Sequence, residues 1–187
     1  MNIALIAPAA SGKDFLAELL IHQYGYRRYA FADNVKKVAR KWFPHLYDEE
    51  KKPRWLLQMI GTMFRKIDPD IWIKALLADI DKEQNILKKY GYAPEAITIT
   101  DCRMPNEYEA LKKRGFTFIR ITVYEEIRRQ RMLDRGDNFT DDDLKHHTET
   151  FYDTFECEFE ISNNGTLEEL KYQLDSVMDE LIKREVG

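Results

Sequence analysis

The sequence predicts an α/β fold, a parallel sheet with helices on both faces. Three observations carry this. Short apolar runs alternate with amphipathic runs of helical length along the 187 residues. The first apolar run, Ile3-Ala4-Leu5-Ile6-Ala7, passes through a small-residue turn ending in Gly12-Lys13 and then directly into a helical pattern. Ala96-Ile97-Thr98-Ile99-Thr100 is a run of Ile and Thr suited to a buried central strand. The length suffices for one α/β domain with a full core, residues 1–187, with no second domain required.

In order, residues 2–7 read as the first strand and residues 13–24 as the first helix, amphipathic over 15–21. A short second strand is expected over 26–31. Helices over 33–43 and 53–64 follow, separated by Pro44 and the acidic turn Asp48-Glu49-Glu50. A long amphipathic helix spans 72–90 and stops at Gly91 and Pro94. The Ile/Thr strand over 96–100 leads to Asp101, a helix over 105–114 ends at Gly115, and residues 116–124 form the next strand. Residues 125–147 are dense in charge, open with arginines at helical spacing and read as a mobile cover. A last strand over 158–161, the turn Asn163-Asn164-Gly165 and a helix capped by Thr166 and running to about Lys183 complete the chain.

Composition narrows the function classes. Lys and Arg number 29 against 33 Asp and Glu, a net charge of −4, which argues against a general nucleic-acid-binding surface. The two cysteines, Cys102 and Cys157, have neither zinc nor redox-pair spacing and fit a reduced compartment, with buried apolar roles expected. Without a basic-then-apolar leader or an apolar run of membrane-spanning length, a cytoplasmic protein is expected.

The turn after the first strand is a phosphate cradle. Small residues Ala9, Ala10, Ser11 and Gly12 let backbone N–H groups converge on phosphate oxygens, Lys13 adds a charge, and the following helix adds its dipole. The polyphosphate of a nucleotide is the natural occupant. The P-loop pattern G-x-x-x-x-G-K-[ST] is departed from twice, by Ala7 at the first glycine and Asp14 at the hydroxyl position. Ala7 is tolerable if its backbone stays in an ordinary region. Asp14 would repel phosphates unless Mg²⁺, water or an arginine intervenes.

Other residues fit phosphoryl transfer, which needs charge neutralised, oxygens held in line and water excluded. Asp101, after the Ile/Thr strand, could orient Mg²⁺ through water or cap the turn before Pro105. Arg128, Arg131 and Arg135 share one helical face, either solvated or suited to closing on phosphates. Arg65 and Arg103 are candidates for a second phosphate. Asp33, before the helix carrying Lys36, could face an acceptor hydroxyl or serve as an N-cap. Trp72 is the aromatic most suited to an acceptor pocket. His146 and His147, beside Glu149, lack partners at ligand spacing and argue against a metal there.

Together the segments Ser11-Gly12-Lys13-Asp14, Ala30-Phe31-Ala32-Asp33-Asn34-Val35-Lys36, Leu57-Gln58-Met59-Ile60-Gly61-Thr62 with Arg65 and Asp68-Pro69-Asp70-Ile71-Trp72, and Thr100-Asp101-Cys102-Arg103-Met104-Pro105-Asn106-Glu107 resemble the phage-type deoxynucleoside monophosphate kinases of the P-loop kinase superfamily. His146-His147-Thr148-Glu149 and Asn163-Asn164-Gly165-Thr166 extend the resemblance over nearly the whole chain. It implies a three-layer fold with a five-stranded parallel sheet, a helical acceptor-binding region around 33–72 and an arginine-bearing lid around 125–150. The implied reaction moves the γ-phosphate of ATP, with Mg²⁺, to a deoxynucleoside monophosphate. Lys13 and the lid arginines Arg128, Arg131 and Arg135 would be catalytic. Residues 9–15, with Asn164 and Gly165 near the adenine, would bind the donor. Asp33, Lys36, Gln58, Arg65, Trp72, Asp101 and Arg103 would form the acceptor site, and Asp14 and Asp101 would serve the metal. Phe15 departs from the hydroxyl residue often found there in that group.

Two alternatives stay open from sequence: a P-loop kinase acting on a modified pyrimidine in DNA or on a small phosphorylated metabolite, and a nucleotide-binding module without transfer activity. The acidic balance counts against DNA. The acceptor base and whether the chain forms a homodimer are not written in the sequence.

Overall fold

The computed structural model describes residues 1–48, 53–134 and 151–186. Arg135, His146 and His147, and most of the acidic turn after Asp48, lie outside the described residues. By compactness the chain divides into two units, Met1–Arg28 with Ala96–Gly187, and Tyr29–Glu95.

The first unit is built on a sheet of order β2-β3-β1-β4-β5. The strands are β1 (Asn2–Ile6), β2 (Arg27–Tyr29), β3 (Ile97–Ile99), β4 (Phe116–Thr122) and β5 (Phe159–Ser162). β1 pairs in parallel with β3, Ile3 opposite Thr98, and with β4, Ile3 opposite Thr117; β4 pairs in parallel with β5. The middle strand is therefore β1, and the Ile/Thr strand expected there is β3, one place outward. Both are buried on both faces, and a local apolar run does not specify which of two such strands sits between which neighbours.

On one face, Ile3, Leu5, Ile119, Ile121 and Ile161 pack against Leu16 and Leu20 of α1 (Lys13–His22) and Leu170, Leu174 and Met178 of α7 (Leu167–Val186). On the other, Tyr108 of α5 (Pro105–Lys113) stacks on Phe155 with ring centroids 4.7 Å apart and meets Phe118 at a tilt, 4.4 Å away. Alternation along β4 sends Ile119 and Ile121 to one face and Phe118 to the other. After β4 comes α6 (Glu125–Asp134).

The second unit packs α2 (Phe31–Trp42), α3 (Arg54–Ile67) and α4 (Ile71–Lys89) around Val35, Ala39, Leu56, Ile60 and Trp72. The expected second strand stops at Tyr29, and the helix begins earlier than expected, because Phe31, Val35 and Ala39 form its buried face at i+4 spacing. Asp33 accordingly sits in the first turn; the N-cap is Ala30, which corrects the capping role expected of Asp33. Other helix and strand ends differ from expectation by a few residues, as fraying termini do. Thr166 caps α7 as expected: its Oγ1 accepts from Glu169 N–H (3.1 Å) while the Glu169 carboxylate accepts from Thr166 N–H (2.8 Å). Among the described residues, no helix is long and apolar enough to cross a membrane.

Candidate functional site

β3 and β4 flank β1, so the carboxyl end of β1 is where open α/β sheets form a ligand crevice. The turn after β1 lies there. Ala10 (φ 58°) and Gly12 (φ 86°) are left-handed, Ala10 being the one such non-glycine among the described residues. Alternating left-handed residues turn successive N–H groups into one anion-binding concavity, with the N-terminus of α1 behind it. Ala7 is not among the left-handed residues, so the condition set for it is met, and the left-handed turn falls on Ala10. Gly12 is required twice, since a Cβ there would also stand 2.1 Å from Asn163 Nδ2.

Segments following three other strands complete a cleft of about 630 Å³, lined by the loop from Pro8 to Asp14 and by Arg103, Arg131, Asp134, Asn163, Gly165 and Leu167, all in the first unit. Arg103 follows β3, Arg131 lies on α6 after β4, and Asn163 follows β5. Arg128 is buried, and its Nε donates to Ala9 O at 2.9 Å, so it braces the loop; neither a solvated stripe nor a swinging group describes it. Arg131 Nη2 donates to Asn163 O (3.1 Å) and Oδ1 (3.3 Å), and Asn163 Nδ2 donates to Ser11 O (2.7 Å). Arg131 Nη1 and Ser11 Oγ are buried with no hydrogen-bond partner among the described residues. Buried donors left this way suit an anion. Lys13 Nζ lies 2.5 Å from Asp14 Oδ1, whose side chain is 83% exposed.

The loop after β3 is shaped from below. Glu107, 3% exposed, accepts from Arg103 N–H (3.0 Å) and Met104 N–H (3.1 Å). Cys102 beside it is buried, and burial holds its thiol well above the usual range, so it is a packing residue with no thiolate to offer. A second groove of about 500 Å³ runs along α7 by Tyr172 and Gln173, but it carries Glu168 and Glu169 and no cation. The loop cleft is the one of the two whose lining carries cations.

No protein-family profile matches the chain. It is 27% identical over 166 residues to uncharacterized protein ORF77 of Ictalurid herpesvirus 1 (strain Auburn), covering 89% of this chain. The chain spans 65% of the length of that curated relative. Among solved structures it is similar to dephospho-CoA kinase from Campylobacter jejuni, 19% identical over 98% of each chain with a TM-score of 0.54. It is also similar to a sugar kinase from Janibacter sp. HTCC2649, 15% identical, over 95% of this chain and 94% of that one (TM-score 0.56). Shikimate kinase from Acinetobacter baumannii, in complex with shikimate, is 14% identical over 100% of this chain and 95% of its own (TM-score 0.56). The chain has the P-loop kinase fold.

Within this P-loop kinase fold the donor-side expectations come together at the loop: Ala9, Ala10, Ser11, Gly12, Lys13, Asp14, Arg103, Arg131 and Gly165 share the cleft. Several do not line it. Phe15 packs against the core under the sheet. Asn164 is engaged elsewhere, accepting from Tyr124 N–H (2.7 Å) and donating to Ser162 Oγ (2.8 Å). Asp101 is half-buried and off the cleft wall, whereas Asp134, which the sequence did not single out, is on it. Mg²⁺ takes one or two carboxylates together with substrate phosphates, a donor set that Asp14 and Asp134 fit. Among the described residues no group of three His, Cys, Asp or Glu forms a self-sufficient metal site.

Asp33, Lys36, Gln58, Arg65 and Trp72 belong to the helical unit. Lys36 Nζ is 3.3 Å from Asp33 Oδ1, Gln58 is exposed, and Arg65 is half-buried. Trp72 is 3% exposed, stacks on Phe64 at 5.4 Å and donates from Nε1 to Gly61 O at 3.1 Å. Its ring is part of that unit's core. Sequence reasoning passed over Asn163 and Glu107 although both stand in quoted motifs, because spacing along the chain carries no sign of which neighbour a side chain will brace.

Proposed function

We propose that the chain is a phage-type nucleotide kinase that transfers the γ-phosphate of ATP to a deoxynucleoside monophosphate, releasing ADP and a deoxynucleoside diphosphate. The supporting observation is convergence. The phosphate loop with Lys13, Arg103 from the end of β3 and Arg131 from α6 line one cleft, so cations from three separate segments face one anion-sized space, as stabilising a transferring phosphoryl group requires.

The loop amides and Lys13 hold the β and γ phosphates; Lys13 exchanges Asp14 for the nucleotide as it does so. Arg131 offers Nη1, which has no hydrogen-bond partner among the described residues, to charge developing on the transferring group. Arg128 keeps the loop in shape through Ala9 O. Mg²⁺ bound with the nucleotide would neutralise phosphate charge, and Asp14 and Asp134 are the residues that would hold it. On the acceptor side, Arg103 of the loop cleft is assigned to the monophosphate. Its partners are small-molecule nucleotides in a reducing, cytoplasmic setting.

ADP release from ATP and Mg²⁺ should be measured across ribo- and deoxynucleoside monophosphates, with dephospho-CoA, shikimate and a sugar as outside acceptors and Lys13→Ala as control. Release with a deoxynucleoside monophosphate, lost in the control, is expected. Release with an outside acceptor alone overturns the nucleotide acceptor, and ATP binding without release to any acceptor overturns the kinase.

A further inference from the structure

We infer that Asn163 is a positioning residue that aligns the phosphate loop and Arg131 as one unit. The inference rests on ATP as the ligand of the loop cleft. Asn163 is 2% exposed and tied at its own N–H to Thr122 O (2.8 Å), so the end of β5 holds it against the end of β4. Its amide then works in two directions. Nδ2 donates to Ser11 O at 2.7 Å, while Oδ1 and the main-chain oxygen together take Arg131 Nη2 at 3.3 and 3.1 Å.

Each contact sets the direction of a different donor. The C=O and N–H of a trans peptide point opposite ways, so pinning Ser11 O aims the Gly12 N–H away from Asn163. The guanidinium is planar, so pinning Nη2 fixes Nη1, the buried nitrogen with no partner among the described residues. Gly12 lets the two come this close, with room for no Cβ between them. Few side chains could substitute. One planar group must present a donor to a carbonyl and an acceptor to an arginine; Asp has no donor when ionised and Ser lacks the span.

The test is a double-mutant cycle on ATP binding by titration calorimetry, using wild type, Asn163→Ala, Arg131→Ala and the double variant, each checked by thermal melting. Each single change is expected to weaken ATP by about tenfold or more. The double variant is expected to be little weaker than the worse single one, because both act through one network. Losses that multiply, or an Asn163→Ala protein that binds as wild type, overturn the inference. Should Asn163→Ala not fold, Asn163→Ser replaces it in the cycle, with the same outcomes deciding.

Kinetics separate alignment from general loosening. With any accepted substrate, Asn163→Ala should lower kcat and raise the KM for ATP while the acceptor KM stays within about twofold. A matching rise in acceptor KM overturns a positioning role. Wild-type protein that binds ATP but transfers to nothing overturns the kinase reading alone, and the binding cycle still decides for Asn163. Wild-type protein that fails to bind ATP overturns both.

Discussion

Gly12 and Ala10 are two residues apart, both left-handed, and expected to respond differently to change. Gly12→Ala adds a Cβ to a left-handed residue, at roughly 1–2 kcal/mol, and drives it into Asn163 Nδ2. A fall of several degrees in Tm and loss of ATP binding by calorimetry are expected. Ala10→Gly relieves a similar strain but frees the unfolded chain, so urea denaturation should show a net change of no more than about 0.5 kcal/mol. A large destabilisation by Ala10→Gly would mean that its methyl group packs in a way that outweighs the strain. Gly12-Lys13 was legible as a motif. The left-handed Ala10 was not, because alanine does not advertise a positive φ and only closure of the whole turn demands one.

The helices show where periodicity informs and where it stops. The arginine spacing 128, 131 in α6 is realised, whereas the buried face of α2 at 31, 35 and 39 begins in a residue that the sequence placed in a strand. Spacing states which side chains share a face, yet not what that face meets. Arg128 meets a carbonyl of the loop, and Trp72 of α4 meets the backbone of α3. Trp72→Phe removes the indole N–H bond to Gly61 O and part of the ring's packing, so the helical unit should lose about 1–3 kcal/mol in chemical denaturation. Acceptor KM should be little changed. The reverse pattern, unchanged stability with a raised acceptor KM, would return Trp72 to the acceptor pocket where the sequence alone suggested it.

Buried Tyr26 and Cys102 and half-buried Cys157, all in the sheet-based unit, give the molecule an alkaline limit. Burial pushes Tyr26 from 10.0 up to about 12 and Cys157 from 9.0 up to about 11, and holds Cys102 well above its usual range. All three are neutral acids raised in the folded state. Their contribution is therefore complete below the unfolded values, and is lost as pH rises from about 9 through 11 and 12, where only the unfolded chain releases its protons readily. The melting midpoint should hold from pH 7 to 9 and decline above it. Cys157→Ala should flatten that decline between pH 9 and 11, and an unchanged slope would remove Cys157 as a contributor.

What the sequence determined by itself is local: the strand, turn and helix around Gly12-Lys13, the alternation of strands and helices, the shared face of Arg128 and Arg131 on α6, and the Thr166 cap. Each depends on residues within about a turn of one another, where side-chain identity and backbone preference act directly. Tertiary structure alone decided that β1 is central, that Arg103 and Arg131 share a cleft with the loop, that Arg128 braces and that Asn163 joins loop to arginine. Those contacts join residues far apart in the chain. They form only when burial and strand pairing have paid for loop closure, a cooperative balance over the whole sheet that no local pattern encodes.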